Sequence, residues 1–440
     1  MASGWFDAAS GLPWHPVARE ALLAALQDGW ADPAKLAGPG RRSATLLEAA
    51  RETVAEQLLV QPDEVIFTPT GSHALQLAVL GTLAGRARVG AAVVHSAVEH
   101  SVVLKAVAWH DGPSVAVPVD GHARVDPEAF SAACAGDGVA AAVLQAANHE
   151  IGSLQPEVDS QGVPLVVDAA HSILYGAPPE QAAVFTADAR LWGGPDVGVL
   201  VVRRGIRWRP PFPVDESERG RGLGVPSVPA VLAAAASLRA FRAADEAGRL
   251  SGHIERLRDR IPATVPDTEV LGDPVQRLPH ILTFSSLYVD GEALLTELDR
   301  HGFSVSSGSS CTSDTLTPSH VLVAMGALTS GNVRISLHPQ VERADIDRFL
   351  AVLPGALAAV RAQLPDTARP ETRTVDSRGR RCPLPILDLA AALPGIGVGE
   401  QLTVLADDPA AAGDIAAWCR MSGQLLVQSG MESFTVQRVR

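Results

Sequence analysis

Lysine is nearly missing from this chain. Lysine and arginine together number 36, yet only Lys35 and Lys105 are lysines. An arginine- and alanine-rich composition accounts for part of that scarcity, but chemistry that needs a side-chain primary amine is left with two positions. Cysteine is scarce too. Cys134, Cys311, Cys382 and Cys419 are too few and too scattered for a disulfide framework or a zinc knuckle, so each is judged singly. No apolar run approaches the length of a membrane span, and 47% hydrophobic with 19% charged residues describes a soluble globular protein. A net charge of -13 lacks the basic excess that phosphate neutralisation requires, which argues against a stable nucleic-acid partner. The opening stretch MASGWFDAASGLPWHP has neither the basic start nor the apolar core of an export signal, so a cytoplasmic location is expected.

A chain of 440 residues exceeds one ordinary core, and two or three domains are expected. From about residue 14 to 250, helical stretches such as LLEAARETVAEQLL alternate with short apolar strands such as AAVVH, PLVVDAA and VGVLVVR. That alternation predicts an α/β domain with a largely parallel sheet. Residues 251–362 read as a smaller α+β unit joined by the N-terminal segment. Prolines, threonines and charges then interrupt the pattern in LPDTARPETRTVD, placing a linker over 363–372. Residues 373–440 read strand, helix, strand, helix, then two strands, a small two-layer domain.

Cys311 sits in SSGSSCTSDTLTPSH, where small polar residues and glycine favour an exposed loop from which a thiolate can reach a substrate. An incidental loop cysteine fits that chemistry equally well. The longer stretch HGFSVSSGSSCTSDTLTPSHVLVAMG, followed by NVRISL, resembles the active-site segment of NifS/IscS-type cysteine desulfurases, class V members of the pyridoxal-phosphate aminotransferase fold. The resemblance covers roughly residues 1–360. It implies the type I transferase fold, a large mixed-sheet domain plus a small α+β domain, in a homodimer using L-cysteine. It also implies that Cys311 carries a persulfide and that Arg334 contacts the substrate carboxylate, a task suited to a planar guanidinium.

The same resemblance distributes a pyridoxal-phosphate pocket over several segments. Asp168 in VVDAAH matches the carboxylate that pairs with the pyridine nitrogen, His100 the stacking histidine, and His171 the ring-hydroxyl contact. His149, with Asn148 beside it, matches a ring-contacting asparagine. Gly71, Ser72 and His73 open a helix whose backbone amides could hold a phosphate. For each there is a plain alternative: a helix cap, or a core histidine with its hydrogen bonds made.

FTADARLWGGPDVGVLVV, aligned by its VGVL end, puts Arg190 where this family has its Schiff-base lysine. Arginine cannot replace it, because with a pKa above about 12 its neutral fraction at neutral pH is on the order of one in a hundred thousand. Three alternatives follow: a cofactor held without a covalent link, a pocket that no longer uses it, or a lysine artificially replaced.

Cys382 stands in RGRRCPLPILDL, before a proline and a helix start, where the helix dipole is expected to acidify an exposed thiol. VDSRGRRCPLP with the later ADDPAAAGDIAAWCRMSGQLL resembles the TusA-type sulfur-carrier family across residues 373–440. That resemblance makes Cys382 a persulfide carrier. The combination implies a sulfurtransferase that forms or accepts a persulfide at Cys311, relays it to Cys382 and delivers it to a downstream acceptor protein. A scaffold loaded by a separate persulfide donor is the alternative.

Overall fold

The computed structural model describes residues 4–307, 318–364 and 373–440; Cys311 and most of the expected linker lie outside them. Seven strands form the first sheet: β1 (Val65–Thr68), β2 (Ala92–Ser96), β3 (Ser114–Val117), β4 (Val139–Val143), β5 (Leu165–Asp168), β6 (Val184–Asp188) and β7 (Gly198–Val202). Their order is β1-β7-β6-β5-β4-β2-β3, with β7 alone antiparallel to its neighbours. Both faces are covered, which is why these strands read as unbroken apolar runs. Val166 and Leu200 turn towards the Gly71–Arg86 helix, whereas Val167 and Val199 turn towards the Val228–Ala244 helix. Each parallel strand ends at the same edge of the sheet, where Asp168 and Asp188 are the final residues of β5 and β6. Ligands of open α/β sheets bind at such an edge.

A second sheet of β8 (Thr268–Val270), β9 (Ile281–Ser286) and β10 (Asn332–Ser336) is wholly antiparallel in the order β10-β9-β8. Helices Ala247–Thr264, Gly291–Arg300 and Arg343–Arg361 cover it. The N-terminal segment belongs to this unit, since Phe6 is fully buried against Phe303 and Phe349 at ring distances of 5.3 and 5.5 Å. The long helical run after Val228 breaks at Asp245, whose φ of +45° lies in the left-handed region that ends helices.

The third sheet comprises β11 (Thr374–Asp376), β12 (Gln401–Leu405), β13 (Leu425–Ser429) and β14 (Ser433–Gln437), ordered β11-β12-β14-β13. Helices Leu384–Ala392 and Ala411–Ser422 pack on one side of it. This domain is docked on the second unit. Leu287 and Leu328 enter its apolar core, Trp418 Nε1 donates to Tyr288 Oη at 2.7 Å, and Arg420 pairs with Glu269 at 3.0 Å.

One buried ion pair ties the first sheet to the chain that runs past it. Arg51 and Glu218, with side chains only 3% and 2% exposed, meet at 2.8 Å. Arg51 Nη1 also donates to Val65 O, and Glu218 Oε2 accepts from Phe67 N, so β1 is held by both partners. Removing one partner strands a charge in a dry site. Glu218→Ala should therefore lower unfolding free energy by about 3–5 kcal/mol in chemical denaturation, and the paired apolar replacement Arg51→Met/Glu218→Met should recover only part of that loss, because Val65 O and Phe67 N then lose these partners.

Candidate active site and carrier cysteine

The sheet edge opens into a cavity of about 280 Å³ between the first and second units, lined among others by Gly71, His100, His149, Asp168, His171 and Arg334. The structure thus brings together most of the expected pocket residues. Asp168 ends β5, its Oδ1 accepting from Ala170 N at 3.1 Å. Burial raises its pKa, against the pull of His100. His100 caps the Ser101–His110 helix through Nδ1, which accepts from Val102 N at 3.2 Å. His149 tilts over it at 4.8 Å between ring centroids.

Two expected contacts are corrected. Asn148 does not reach the cavity, because its Oδ1 accepts from Glu150 N and Ile151 N while Nδ2 donates to Val98 O. Those bonds fix the turn that presents His149 instead. His73 offers no amide to a ligand either, since its N–H is taken by Thr70 Oγ1 at 3.1 Å. Its side chain faces a different, largely apolar cavity of about 500 Å³ that Phe212, Leu223 and Val225 also line.

Arg334 is part of the cavity wall but already engaged. Its guanidinium pairs with Asp7 at 2.8 Å and donates to Ser10 Oγ and His149 O, leaving Nε buried with no partner among the described residues. Arg190 projects half into solvent, pairing with Asp188 at 3.0 Å and with Asp196 at 3.6 Å. Neither lysine of the chain lines the cavity, so no amine is available there for a Schiff base.

Asp188 is the residue that the sequence did not flag. A Cβ placed on Gly71 would lie 2.5 Å from Asp188 Oδ2, so this carboxylate sits against the first turn of the Gly71–Arg86 helix. That turn, with its positive dipole end, is where a phosphate would have to bind. Glycine at 71 is what permits the approach. Asp168 and His100 suit a pyridine ring, but the phosphate end of the pocket is lined by the chain's own carboxylate. The residues present do not fit pyridoxal phosphate.

Behind the cavity runs a row of buried imidazoles. His149, His171 and His280 follow at ring distances of 6.4 and 6.1 Å, and Tyr175 closes the row 4.8 Å from His280. Among the described residues, both nitrogens of His280 and Nδ1 of His149 and of His171 lack hydrogen-bond partners. Burial keeps all three neutral, lowering His280 from 6.5 to about 3 and the others well below 6.5. Burial acts oppositely on Glu99 and Glu150, raising each from 4.5 to about 7.

At the carrier domain, the expected state of Cys382 is overturned. The helix begins at Leu384 with Pro383 as its cap, so Cys382 stands one residue outside it and is half-buried. Its N–H donates to Asp408 Oδ2 at 3.1 Å, and its thiol lies against the Asp414 carboxylate. Burial raises the thiol pKa strongly, and the charges of Asp414 and Asp408 raise it further. About half a positive charge at a helix end does not outweigh two carboxylates. Cys134 and Cys419 are core residues, each 2% exposed.

The histidines and glutamates give stability a readable pH dependence. Below 6.5 the unfolded chain binds the proton that folded His280 refuses, so its contribution to stability grows as pH rises from about 3 to 6.5. Folded Glu99 and Glu150 hold protons that the unfolded chain releases, so their contributions fall as pH rises from 4.5 to about 7. His280→Phe should therefore reduce the loss of melting temperature seen on acidification from about pH 6.5 to about pH 5, measured against the parent protein.

Comparisons with known proteins agree with this architecture. The family model Aminotransferase class-V matches residues 17–204 and 214–349, and that of Sulfurtransferase TusA matches 373–437. An IscS-like cysteine desulfurase of Mycobacterium tuberculosis is 34% identical over 382 residues, covering 81% of this chain and 97% of that protein. A cysteine desulfurase of Cereibacter sphaeroides is 34% identical over 376 residues, covering 80% and 94%. Among solved structures, a NifS-like protein superposes with a TM-score of 0.74 at 22% identity over 81% of this chain and 99% of its own, a likeness of fold. DndA from Streptomyces lividans gives 0.62 at 26% identity over 76% and 99%. The chain belongs to the class-V aminotransferase family, beside its cysteine desulfurases, and carries a TusA sulfur-carrier domain at its C-terminal end.

Proposed function

We propose that this protein is a sulfur relay in which Cys311 receives sulfur from a persulfide donor and Cys382 takes it from Cys311. Sulfur mobilisation and transfer is common ground for both parts of the chain. The observation that carries the relay is the docking of the carrier domain on the unit whose sequence contains Cys311. Thr329, in the loop that leads into β10 of that unit, is hydrogen-bonded to Asp414, which in turn contacts the Cys382 thiol.

Joining donor and acceptor in one chain raises the local concentration of the second thiol. The chemistry is thiolate exchange. Cys311 attacks the outer sulfur of the donor persulfide and releases the donor thiolate; Cys382 then attacks that same sulfur and regenerates the Cys311 thiol. Such a donor already carries transferable sulfur, so no carbon–sulfur bond has to be broken. Asp188 at the first turn of the Gly71–Arg86 helix, and a cavity without lysine, support that source over free cysteine. Desulfuration of L-cysteine with pyridoxal phosphate held non-covalently is the second reading, favoured by Asp168 and His100 in the cavity. Pairing of two copies is supported by the apolar cavity at Phe212, Leu223 and Val225. Delivery to a downstream acceptor protein and a cytoplasmic setting complete the proposal.

Intact mass after incubation with a cysteine persulfide should show one added sulfur on the parent protein and on Cys382→Ala, and none on Cys382 in Cys311→Ala. Incubation with L-cysteine and pyridoxal phosphate should yield no alanine and, after borohydride reduction, no cofactor adduct. Alanine production would instead establish the second reading. Replacing Arg190 by lysine alone should not restore an adduct, whereas Arg190→Lys together with Asp188→Ser should.

A further inference from the structure

We propose that Asp414 is the proton acceptor for the Cys382 thiol, a base that is fully assembled only when the carrier domain is docked. The inference rests on Cys382 being the accepting cysteine of the relay. Asp414 lies in the Ala411–Ser422 helix and is completely buried. Its Oδ1 accepts from both Thr329 N at 2.6 Å and Thr329 Oγ1 at 2.8 Å, across the domain interface. Its Oδ2 is sealed from solvent without a well-aligned hydrogen bond among the described residues. The carboxylate is thus oriented by one domain while it contacts the thiol of the other.

The surroundings leave Asp414 as the group for this task. Asp408 accepts the backbone N–H of Cys382 and that of Ala410, which places it on the main chain. Arg380 is committed to Asp388 at 2.6 Å, and Arg381 is exposed. Burial raises both Cys382 and Asp414, so the pair keeps a proton that neither group releases readily to water. As Cys382 Sγ attacks a sulfane sulfur, its proton passes to Asp414, the new S–S bond forms, and the bond to the donor sulfur breaks with that sulfur leaving as thiolate. Asp414 can then return the proton to that leaving thiolate, and no outside oxidant or reductant enters. Thr329 is a positioning residue in this scheme, since it touches the base and not the sulfur.

The test uses the full chain in a Cys311→Ala background, so that its outcome does not depend on the relay. Reaction of Cys382 with the aromatic disulfide dithiobis(nitrobenzoate) is followed by release of the coloured thiolate across a pH series; Cys134 and Cys419 are shielded by burial. Asp414→Asn should slow the reaction near neutral pH by about 100-fold or more, with the difference shrinking as hydroxide takes over the proton. Thr329→Val, which deletes one of the bonds orienting the carboxylate while its backbone N–H and the Ser330 side chain remain, should slow it by roughly tenfold with only a small fall in melting temperature. An Asp414→Asn protein that reacts as fast as the parent, or faster, overturns the assignment, because the carboxylate would then only suppress the thiolate. If Asp414→Asn does not fold, an unchanged rate in Thr329→Val overturns it. Slowing by both substitutions, together with no sulfur passing from Cys311 to Cys382, would remove the relay and leave the base in place.

Discussion

Carboxylates withheld from water set the chemistry at both ends of this protein. Asp188 against Gly71 gives the sheet-edge cavity a resident anion where an anionic ligand group would bind. Asp414 against Thr329 gives the carrier cysteine a resident base. A carboxylate in either place costs solvation, and each is stabilised by a different device: Asp188 by the half-exposed guanidinium of Arg190, Asp414 by hydrogen bonds from Thr329 and Ser330. The first arrangement leaves an ion pair lining a cavity, its cation shared with Asp196 and its carboxylate on the side of Gly71. The second leaves a carboxylate without a cation, and such a group holds a proton readily.

Much of the fold was legible because the strands of the first sheet are buried on both faces and appear as plain apolar runs, as in PLVVDAA and VGVLVVR. β1 was not legible. Its four residues, VIFT, are too short to carry a period, and what holds them is the Arg51–Glu218 pair formed across 167 positions of sequence. The pocket was legible as a set of motifs, but not as a set of free side chains. Nothing local in NHEIG shows that Asn148 is consumed by its own turn while His149 reaches the cavity. Asp188, two residues before Arg190, was the available clue to the carboxylate-lined anion site, yet its approach to Gly71 depends on how β6 meets the Gly71–Arg86 helix.

Cys382 shows the same limit more sharply. A proline-capped helix start argues for an acidic, exposed thiol, and that local argument is sound as far as it goes. Folding then brings Asp408 from 26 positions away onto the cysteine's own amide, and Asp414 onto its sulfur. Thr329 comes from 85 positions before Asp414 and from another domain. Local sequence reports the dipole; only the assembled interface reports the charges that oppose it.

These opposing effects bear on how two sulfur-handling thiols coexist in one chain. A thiolate exposed at all times would react with any oxidant or disulfide it met, since accessible thiolate is the reactive form. A thiol held protonated beside a buried carboxylate ionises only as its sulfur forms a new bond, so reactivity is confined to partners that reach it in line. Because the orienting threonine belongs to the other domain, that confinement is tied to docking: separating the domains would expose Asp414 to water, free its proton exchange and remove the geometry that makes it a base. The interface built from Trp418, Arg420 and the Leu287–Leu328 contact therefore does more than hold the carrier nearby. It decides when the carrier's sulfur is a nucleophile.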